Sequence, residues 1–206
     1  MLIGGLLKFS MIDFPGKISA IVFTQGCNLN CGYCHNPELI PTATDQPYPD
    51  GDVLDYLQKR RGALDGVVIT GGEPAIQPDL KDFIAKIKAM GYLVKLDTNG
   101  TNPTALRDLL QNNLLDFVAM DIKAPIEKYA DVCGVSVNID NIKASIEMIE
   151  ASGIAHEFRT TYDKTLLNDA DIESVRGLCH ANLNVQECLP VGSNKPTLRV
   201  AQSGFL

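Results

Sequence analysis

The chain has 206 residues, 45% hydrophobic and 21% charged, which is enough for one sizeable core in one domain. Its net charge of −7 has the wrong sign for binding a phosphate backbone through counterion release, which argues against a nucleic-acid partner. No apolar run approaches the roughly 18 residues of a membrane span, so the sequence predicts neither a membrane protein nor an export signal. Six scattered or clustered cysteines do not resemble a secreted disulfide framework, and we expect a reduced, cytoplasmic protein.

Short runs rich in β-branched and apolar residues predict six strands, with helical segments between them. The predicted strands are 19–25, 66–71, 92–98, 117–123, 156–162 and 184–190. The predicted helices are 52–61, 80–90, 103–112, 138–153 and 169–180. Strand and helix in alternation predict parallel strands with right-handed crossovers. Six units are too few to close a full barrel, so an open partial barrel and a doubly wound sheet both remain candidates.

Polar residues follow or end the predicted strands in turn. Ligands of such folds bind at the carboxyl ends of the strands. These positions hold three cysteines, GGEP (71–74), DTNG (97–100), DIK (121–123), FRTT (158–161), and Gln186 with Glu187. Each alone fits an ordinary turn or a solvated rim, but their recurrence at successive strand ends indicates a binding site.

Three cysteines, Cys27, Cys31 and Cys34, lie close together. A closed zinc site needs four ligands, and His35 is poorly placed to be the fourth because it adjoins Cys34. A four-iron cluster held by three thiolates leaves one iron open for a small molecule. A non-catalytic zinc or electron-transfer module would need four protein ligands and would leave GGEP and DTNG unexplained.

The spacing C-x3-C-x2-C, with Tyr33 just before the last cysteine, resembles the signature of the radical S-adenosylmethionine (SAM) enzymes. The resemblance implies a [4Fe–4S] cluster on the three cysteines and SAM bound at the open iron. It implies reductive cleavage of SAM to a 5′-deoxyadenosyl radical. It also implies an α/β fold, a partial (β/α)6 barrel of parallel strands, which agrees with the strand count.

The same resemblance implies a set of SAM contacts. Gly71, Gly72 and Glu73 resemble the glycine-rich motif whose carbonyls and carboxylate accept hydrogen bonds from the SAM ammonium. Asp97 and Asn99 are implied near the ribose or a nearby cation.

Further contacts are implied on the later strands. Asp121 and Lys123 are implied at the SAM carboxylate and its surroundings. Arg159 is a candidate for holding that carboxylate, and the alternative is an ion pair with Glu157 or another carboxylate. Tyr33 would lie beside the adenine.

Other motifs resemble the glycyl-radical activating enzymes, and above all the activating proteins of anaerobic ribonucleoside-triphosphate reductase. They are IDFPGK (12–17), YCHNPE (33–38), LDTNG (96–100), MDIK (120–123) and EFRTT (157–161). The resemblance implies an oxidoreductase that makes a glycyl radical on a large partner, with flavodoxin or ferredoxin as electron donor. Phe14 departs from it, since many relatives have glycine there.

We expect one radical SAM domain, with 1–18 as an N-terminal extension, 19–190 as the partial barrel and 191–206 as a C-terminal tail. The segment 36–51 holds four prolines and is predicted to be a long loop that covers the site or docks a partner. Cys133, Cys179 and Cys188 do not stand at the sequence spacing of metal ligands, so we expect each to be a small buried apolar side chain.

The alternative function is that of a radical SAM enzyme acting on a small molecule, resembling the 7-carboxy-7-deazaguanine synthases. Those enzymes often carry Ser or Thr shortly after the last cysteine, whereas this chain has CHN (34–36).

Overall fold

The computed structural model describes residues 1–181 and 183–188. Within these residues, seven strands form one sheet whose spatial order follows the chain. The strands are β1 (Ile3–Phe14), β2 (Lys17–Thr24), β3 (Gly66–Gly71), β4 (Leu93–Thr98), β5 (Phe117–Asp121), β6 (Ala155–Tyr162) and β7 (Leu183–Glu187). The helices are α1 (Asp50–Lys59), α2 (Leu80–Ala89), α3 (Pro103–Gln111), α4 (Tyr129–Cys133), α5 (Ile139–Ala151) and α6 (Asp169–Arg176).

The strand order decides between the two candidate architectures. Strands β2 to β7 are all parallel, and each pairs with the next along the chain. A doubly wound sheet reverses its strand order at an internal switch point, and this sheet does not. The predicted partial barrel is therefore confirmed.

The segment 1–18 corrects the strand count. We treated it as an extension outside the barrel, but within the described part of the chain it supplies β1, a seventh strand antiparallel to β2. A tight turn at Gly16, with φ of +67°, joins the two strands. The end of the sixth predicted strand, 189–190, and the tail 191–206 lie outside the described residues.

The core has two layers. The helices bury their apolar faces on the outer side of the sheet, as Ile142, Ile146 and Ile149 of α5 do. Phe14 sits on the inner side, 4% exposed and 6.1 Å from the Phe117 ring in an edge-to-face contact. The departure from glycine at Phe14 thus has a physical role, since the ring fills the inner layer.

The register of the parallel strands brings their carboxyl ends to one rim. Thr24 pairs with Gly71, and Asp121 pairs with Arg159. The edge strands β1 and β7 are not paired with each other, so in the described residues the barrel is open on one side. No helix in these ranges is long and apolar enough to cross a membrane.

Candidate active site

A cavity of about 240 Å³ lies at the carboxyl ends of the strands. All of the site residues predicted from the sequence line it. They are Cys27, Cys31, Tyr33, Cys34, Gly71, Gly72, Glu73, Asp97, Asn99, Asp121, Lys123 and Arg159. The structure therefore brings the whole predicted set together, although its members span most of the chain.

The loop after β2 carries the three cysteines as half-buried free thiols. Its backbone is held by Leu39 and Ile40, whose carbonyls accept hydrogen bonds from Gly26 N at 2.8 Å and Cys27 N at 3.0 Å. Buried Gln25 adds two bonds, donating from Nε2 to Glu38 O at 2.9 Å and to Pro41 O at 2.8 Å. The first part of the predicted loop 36–51, residues 38–41, thus holds the cysteine loop in place through backbone carbonyls. Gln25 was missed because one glutamine at a strand end carries no motif.

The three thiols are not equivalent. Burial raises the pKa of Cys27 to about 11 and also raises the pKa of Cys34. A hydrogen bond with the Cys133 thiol lowers the pKa of Cys31 to about 7. Cys133 is fully buried, as predicted, but it is also a polar partner of a predicted cluster ligand, which the sequence analysis missed. Sequence spacing could not predict this partnership, because Cys133 lies at the end of α4, about 100 residues after Cys31.

Two glycines allow the strand ends to approach the cysteine loop. Gly71 has φ of +111°, and a Cβ on it would lie 2.4 Å from Thr24 N. A Cβ on Gly72 would lie 2.1 Å from Gly26 O. Any other residue would push β3 away from the loop, so the glycines of GGEP shape the cavity.

Glu73 is a buried carboxylate whose partners belong to the protein. Oε1 accepts from Ala75 N at 2.9 Å and from Thr98 Oγ1 at 2.7 Å, and Oε2 accepts from Asn99 N at 2.6 Å. A carboxylate offers about four acceptor positions, so about one is left for a ligand. Burial raises the pKa of Glu73 to about 7. The three hydrogen bonds favour the charged form and lower the pKa, but they only partly offset the effect of burial.

The side chain of Asn99 links the β4 loop to the cysteine loop. Nδ2 donates to Asn28 Oδ1 at 3.0 Å, and Oδ1 accepts from Thr101 Oγ1 at 2.7 Å. Asn28 in turn donates to Thr101 at 2.8 Å. The amide therefore positions the loops around the cavity, and its predicted contact with SAM stays a prediction.

A second wall of the cavity is a network of ion pairs. Arg159 Nε lies 2.8 Å from Asp121 Oδ1, and its Nη1 lies 3.4 Å from Asp97 Oδ2. Lys123 Nζ lies 3.1 Å from Asp121 Oδ2, and buried Lys95 lies 2.8 Å from Asp97. Arg159 thus forms ion pairs with protein carboxylates, which was the alternative to its predicted role in holding the SAM carboxylate.

The charges in this wall stabilise one another. Burial would raise the pKa of Asp121, but Lys123 and Arg159 outweigh it and hold that pKa at about 2. Burial would likewise lower the pKa of Lys123, but the Asp121 carboxylate raises it. Lys95 was missed because a lysine in mid-strand normally points to solvent.

Tyr33 lies against the cavity with 5% of its surface exposed. Its hydroxyl is buried and, within the described residues, has no hydrogen-bond partner. A buried hydroxyl without a partner is costly, so this atom is suited to a polar group that enters the site.

The sequence profile of the radical SAM superfamily matches residues 21–179, which is most of the chain. The chain belongs to the radical SAM superfamily. A protein of Methanocaldococcus jannaschii, provisionally assigned as a glycyl-radical enzyme activating enzyme, is 34% identical over 184 residues, 84% of this chain and 73% of that protein. Within the superfamily, this radical SAM chain therefore falls in the activating-enzyme family.

Other relatives match over shorter stretches. A pyruvate formate-lyase-activating enzyme of Clostridium pasteurianum is 33% identical over 121 residues, 56% of this chain and 50% of that enzyme. A 7-carboxy-7-deazaguanine synthase of Methanopyrus kandleri is 34% identical over 132 residues, 54% of this chain and 52% of that enzyme. The radical SAM chain thus spans about half the length of these two relatives.

The fold also matches solved structures. Streptococcus suis SuiB bound to S-adenosylmethionine superposes with a TM-score of 0.61 at 16% identity, over 83% of this chain and 39% of that one. At that identity the likeness shows the fold alone, and the fold is the partial barrel of radical SAM proteins.

Radical SAM proteins use a [4Fe–4S] cluster and SAM, and the donor set of this chain fits both. Three thiols in one loop suit a cluster, and the unpartnered Tyr33 hydroxyl and the charged wall suit a polar ligand beside it. Among the described residues, no three His, Cys, Asp or Glu side chains converge on one point as ligands of a single ion do. In a cluster, each thiolate binds a different iron.

Proposed function

We propose that this radical SAM protein is an activase that cleaves SAM reductively and generates a glycyl radical on a partner enzyme. One observation carries the proposal: three free thiols, the glycine-rich turn and the charged wall converge on one cavity at the open end of the barrel. The activating-enzyme relative that matches 84% of the chain supports the choice among radical SAM reactions.

The residues of the chain divide into two groups in this proposal. Cys27, Cys31 and Cys34 would hold the cluster, which supplies the electron that cleaves SAM and releases a 5′-deoxyadenosyl radical. The other group would position SAM. Lys123, beside Asp121, would offset the charge of the SAM carboxylate, and Arg159 would orient it while remaining paired with Asp97.

Tyr33, Glu73 and Asn99 would shape the remainder of the SAM site. The Tyr33 ring would lie beside the adenine, and its hydroxyl would gain a partner. Glu73 would accept from the SAM ammonium through its remaining acceptor position. The backbone of the turn at Gly71 and Gly72 would accept alongside it.

The partner must bring its glycine within about 3–3.5 Å of the reacting carbon. Strands β1 and β7 do not pair with each other, which leaves one side of the barrel open in the described residues, and a loop of the partner would enter there. We propose anaerobic ribonucleoside-triphosphate reductase as that partner, because IDFPGK, LDTNG and EFRTT resemble the motifs of its activating proteins. The electron donor would be a reduced flavodoxin or ferredoxin.

The test is an anaerobic reconstitution followed by two assays. Protein with cluster, dithionite and SAM should produce 5′-deoxyadenosine. Addition of an anaerobic ribonucleotide reductase should produce a glycyl doublet in the electron paramagnetic resonance spectrum. Deoxyadenosine without a doublet for that reductase or for a pyruvate formate-lyase would contradict the activase. Absence of deoxyadenosine from protein that holds four irons would contradict SAM cleavage itself.

The deazaguanine synthase relative is the observation that favours a second candidate, a radical SAM enzyme acting on a small molecule. It is tested in the same reaction, with the substrate of such a synthase in place of the reductase. Formation of 7-carboxy-7-deazaguanine, with no doublet on either partner, would support this candidate over the activase.

A further inference from the structure

Cys133 has no part in the proposed function. Cys133 ends α4 with none of its surface exposed, and the interaction of its thiol with that of Cys31 lowers the pKa of Cys31 and raises the pKa of Cys133. A buried cysteine is ordinarily a small apolar residue. Here the end of α4 adjoins the cysteine loop, and the Cys133 thiol is near enough to Cys31 to shift its pKa.

The backbone around Cys133 is built for this contact. Asn30 N donates to Cys133 O at 2.8 Å, which ties the end of α4 to the residue before Cys31. The next residue, Gly134, has φ of +67°, and a Cβ on it would lie 2.5 Å from Asn30 O. Only glycine lets the helix end approach the loop so closely.

The other end of α4 is tied to the charged wall. The Tyr129 hydroxyl, at the start of α4, accepts from Lys123 N at 3.2 Å. A helix of five residues is thus fixed at one end to the cysteine loop and at the other to Lys123 of the cavity. The position of the Cys133 sulfur follows from these contacts, because rotation of the helix would break both of them.

The chemistry then decides the direction of the hydrogen bond. A cysteine sulfur bonded to iron carries no proton, so it can only accept. A thiol beside it can donate. We propose that Cys133 is a positioning residue that donates an S–H hydrogen bond to the Cys31 sulfur and raises the reduction potential of the cluster. The proposal assumes that Cys31 is a cluster ligand.

The physical reason is electrostatic. Hydrogen bonds to the sulfurs are among the factors that set the potential of an iron–sulfur cluster, because they stabilise the state with more negative charge. One electron from the donor adds that charge, and no proton leaves Cys133. An S–H group is a weak donor, so we expect a change of about three- to tenfold in the equilibrium constant for reduction, where tenfold is 59 mV for one electron.

The test measures the reduction potential by titration followed with electron paramagnetic resonance, in anaerobically reconstituted protein. Cys133→Ala removes the donor and should lower the potential by that amount. Cys133→Ser keeps a donor and should stay nearer to the wild type. Cys179→Ala, which removes another buried cysteine outside the cavity, should leave the potential unchanged. An unchanged potential in Cys133→Ala would overturn the proposal, as would an equal shift in both Cys133 variants.

Iron and sulfide content decides the outcome if the variants hold the cluster poorly. Loss of iron in Cys133→Ala with retention in Cys133→Ser would support a donor. Equal loss in both, in variants whose cluster-free forms unfold at the wild-type temperature, would mean that the sulfur only fills space.

A second pair of variants moves Cys133 without changing its sulfur. Gly134→Ala should lower the potential, because its Cβ meets Asn30 O. Gly153→Ala is the matched control, since Gly153 has φ of +71° with nothing within 4 Å of a Cβ. Equal potentials in these two variants would contradict the proposal. Failure of the ligand assumption is recognised separately, because Cys31→Ala would then still hold four irons.

Discussion

Two carboxylates that line the cavity differ in the direction of their pKa shifts. Glu73, on the wall formed by the glycine-rich turn, is buried among neutral donors, and its pKa is raised to about 7. Asp121, on the ion-pair wall, is also enclosed but lies between Lys123 and Arg159, and its pKa is lowered to about 2. Burial acts in the same direction on both. The neighbouring cations, and not burial, therefore decide the direction in which each pKa is shifted.

The largest expected effect, on the rate of SAM cleavage, comes from removing a ligand of the proposed cluster. Cys31→Ala should lower the rate of 5′-deoxyadenosine formation more than about 100-fold, because the loop keeps only two thiolates. Cys179→Ala is the control, and its rate should match the wild type. The assay is deoxyadenosine release under dithionite. A Cys31→Ala protein that cleaves SAM at the wild-type rate would remove Cys31 from the ligand set.

The Glu73 wall is tested through the pH dependence of stability. The pKa of Glu73 rises on folding from 4.5 to about 7, so its contribution is complete below pH 4.5 and is lost as the pH rises through 7. The free energy of unfolding of the cluster-free protein should fall over that window by on the order of 3 kcal/mol.

Glu73→Gln is the informative variant, because it cannot ionise. Its unfolding free energy, from denaturant titrations at pH 5, 6, 7 and 8, should show a flatter dependence than that of the wild type. Its absolute stability should be lower, since the amide NH2 faces one of the three donors that Glu73 now accepts from. Parallel curves for the two proteins would mean that Glu73 does not titrate in this range.

The ion-pair wall should respond to loss of its central anion. Asp121→Asn leaves Lys123 and Arg159 without their shared carboxylate and should lower the free energy of unfolding by about 1–3 kcal/mol. The value lies at the low end for buried pairs because 32% of the Asp121 side chain is exposed. In the wild type this contribution should be present above pH 3.8 and be lost as the pH falls through about 2.

A surface pair provides the matched control. Asp108 lies 2.8 Å from Lys81, but both side chains are more than 40% exposed. Asp108→Asn should change the free energy of unfolding by less than about 0.5 kcal/mol. Equal losses in the two variants, measured in the same denaturant titration, would mean that enclosure does not distinguish the pairs.

The smallest effect on SAM cleavage is expected in a segment outside both walls. Residues 42–47 are mostly exposed, whereas Pro41 accepts from Gln25 and Tyr48 N donates to Ile3 O. Replacing 42–47 with glycine and serine should leave deoxyadenosine formation unchanged without a partner. It should lower formation of the glycyl radical several-fold if this loop docks the partner. Equal yields of the radical from both proteins would assign the docking surface elsewhere.

Features that depend on neighbouring residues were predicted from the sequence, whereas contacts between residues far apart in the chain were not. Strands and helices were predicted correctly where one short segment carried its own period, as in α5. The cavity residues were predicted because parallel strands end at a common rim, so a polar residue at each strand end implies proximity. β1 was missed because IDFPGK (12–17) was interpreted as a sequence motif and not as the end of a strand. Its antiparallel pairing with β2 also falls outside the strand–helix alternation on which the strand count rested.

The alternation of strand and helix, the three-cysteine loop and the identity of the groups around the cavity all follow from the order of residues in the chain. The contacts of each group follow from the folded structure: Cys133 lies beside the cysteine loop, Glu73 accepts from the β4 loop, and Arg159 pairs with Asp97 and Asp121. The reason is that periodicity and spacing are local properties of the chain. A hydrogen bond or a pKa depends on atoms a few ångströms away in space, and packing alone brings those atoms together.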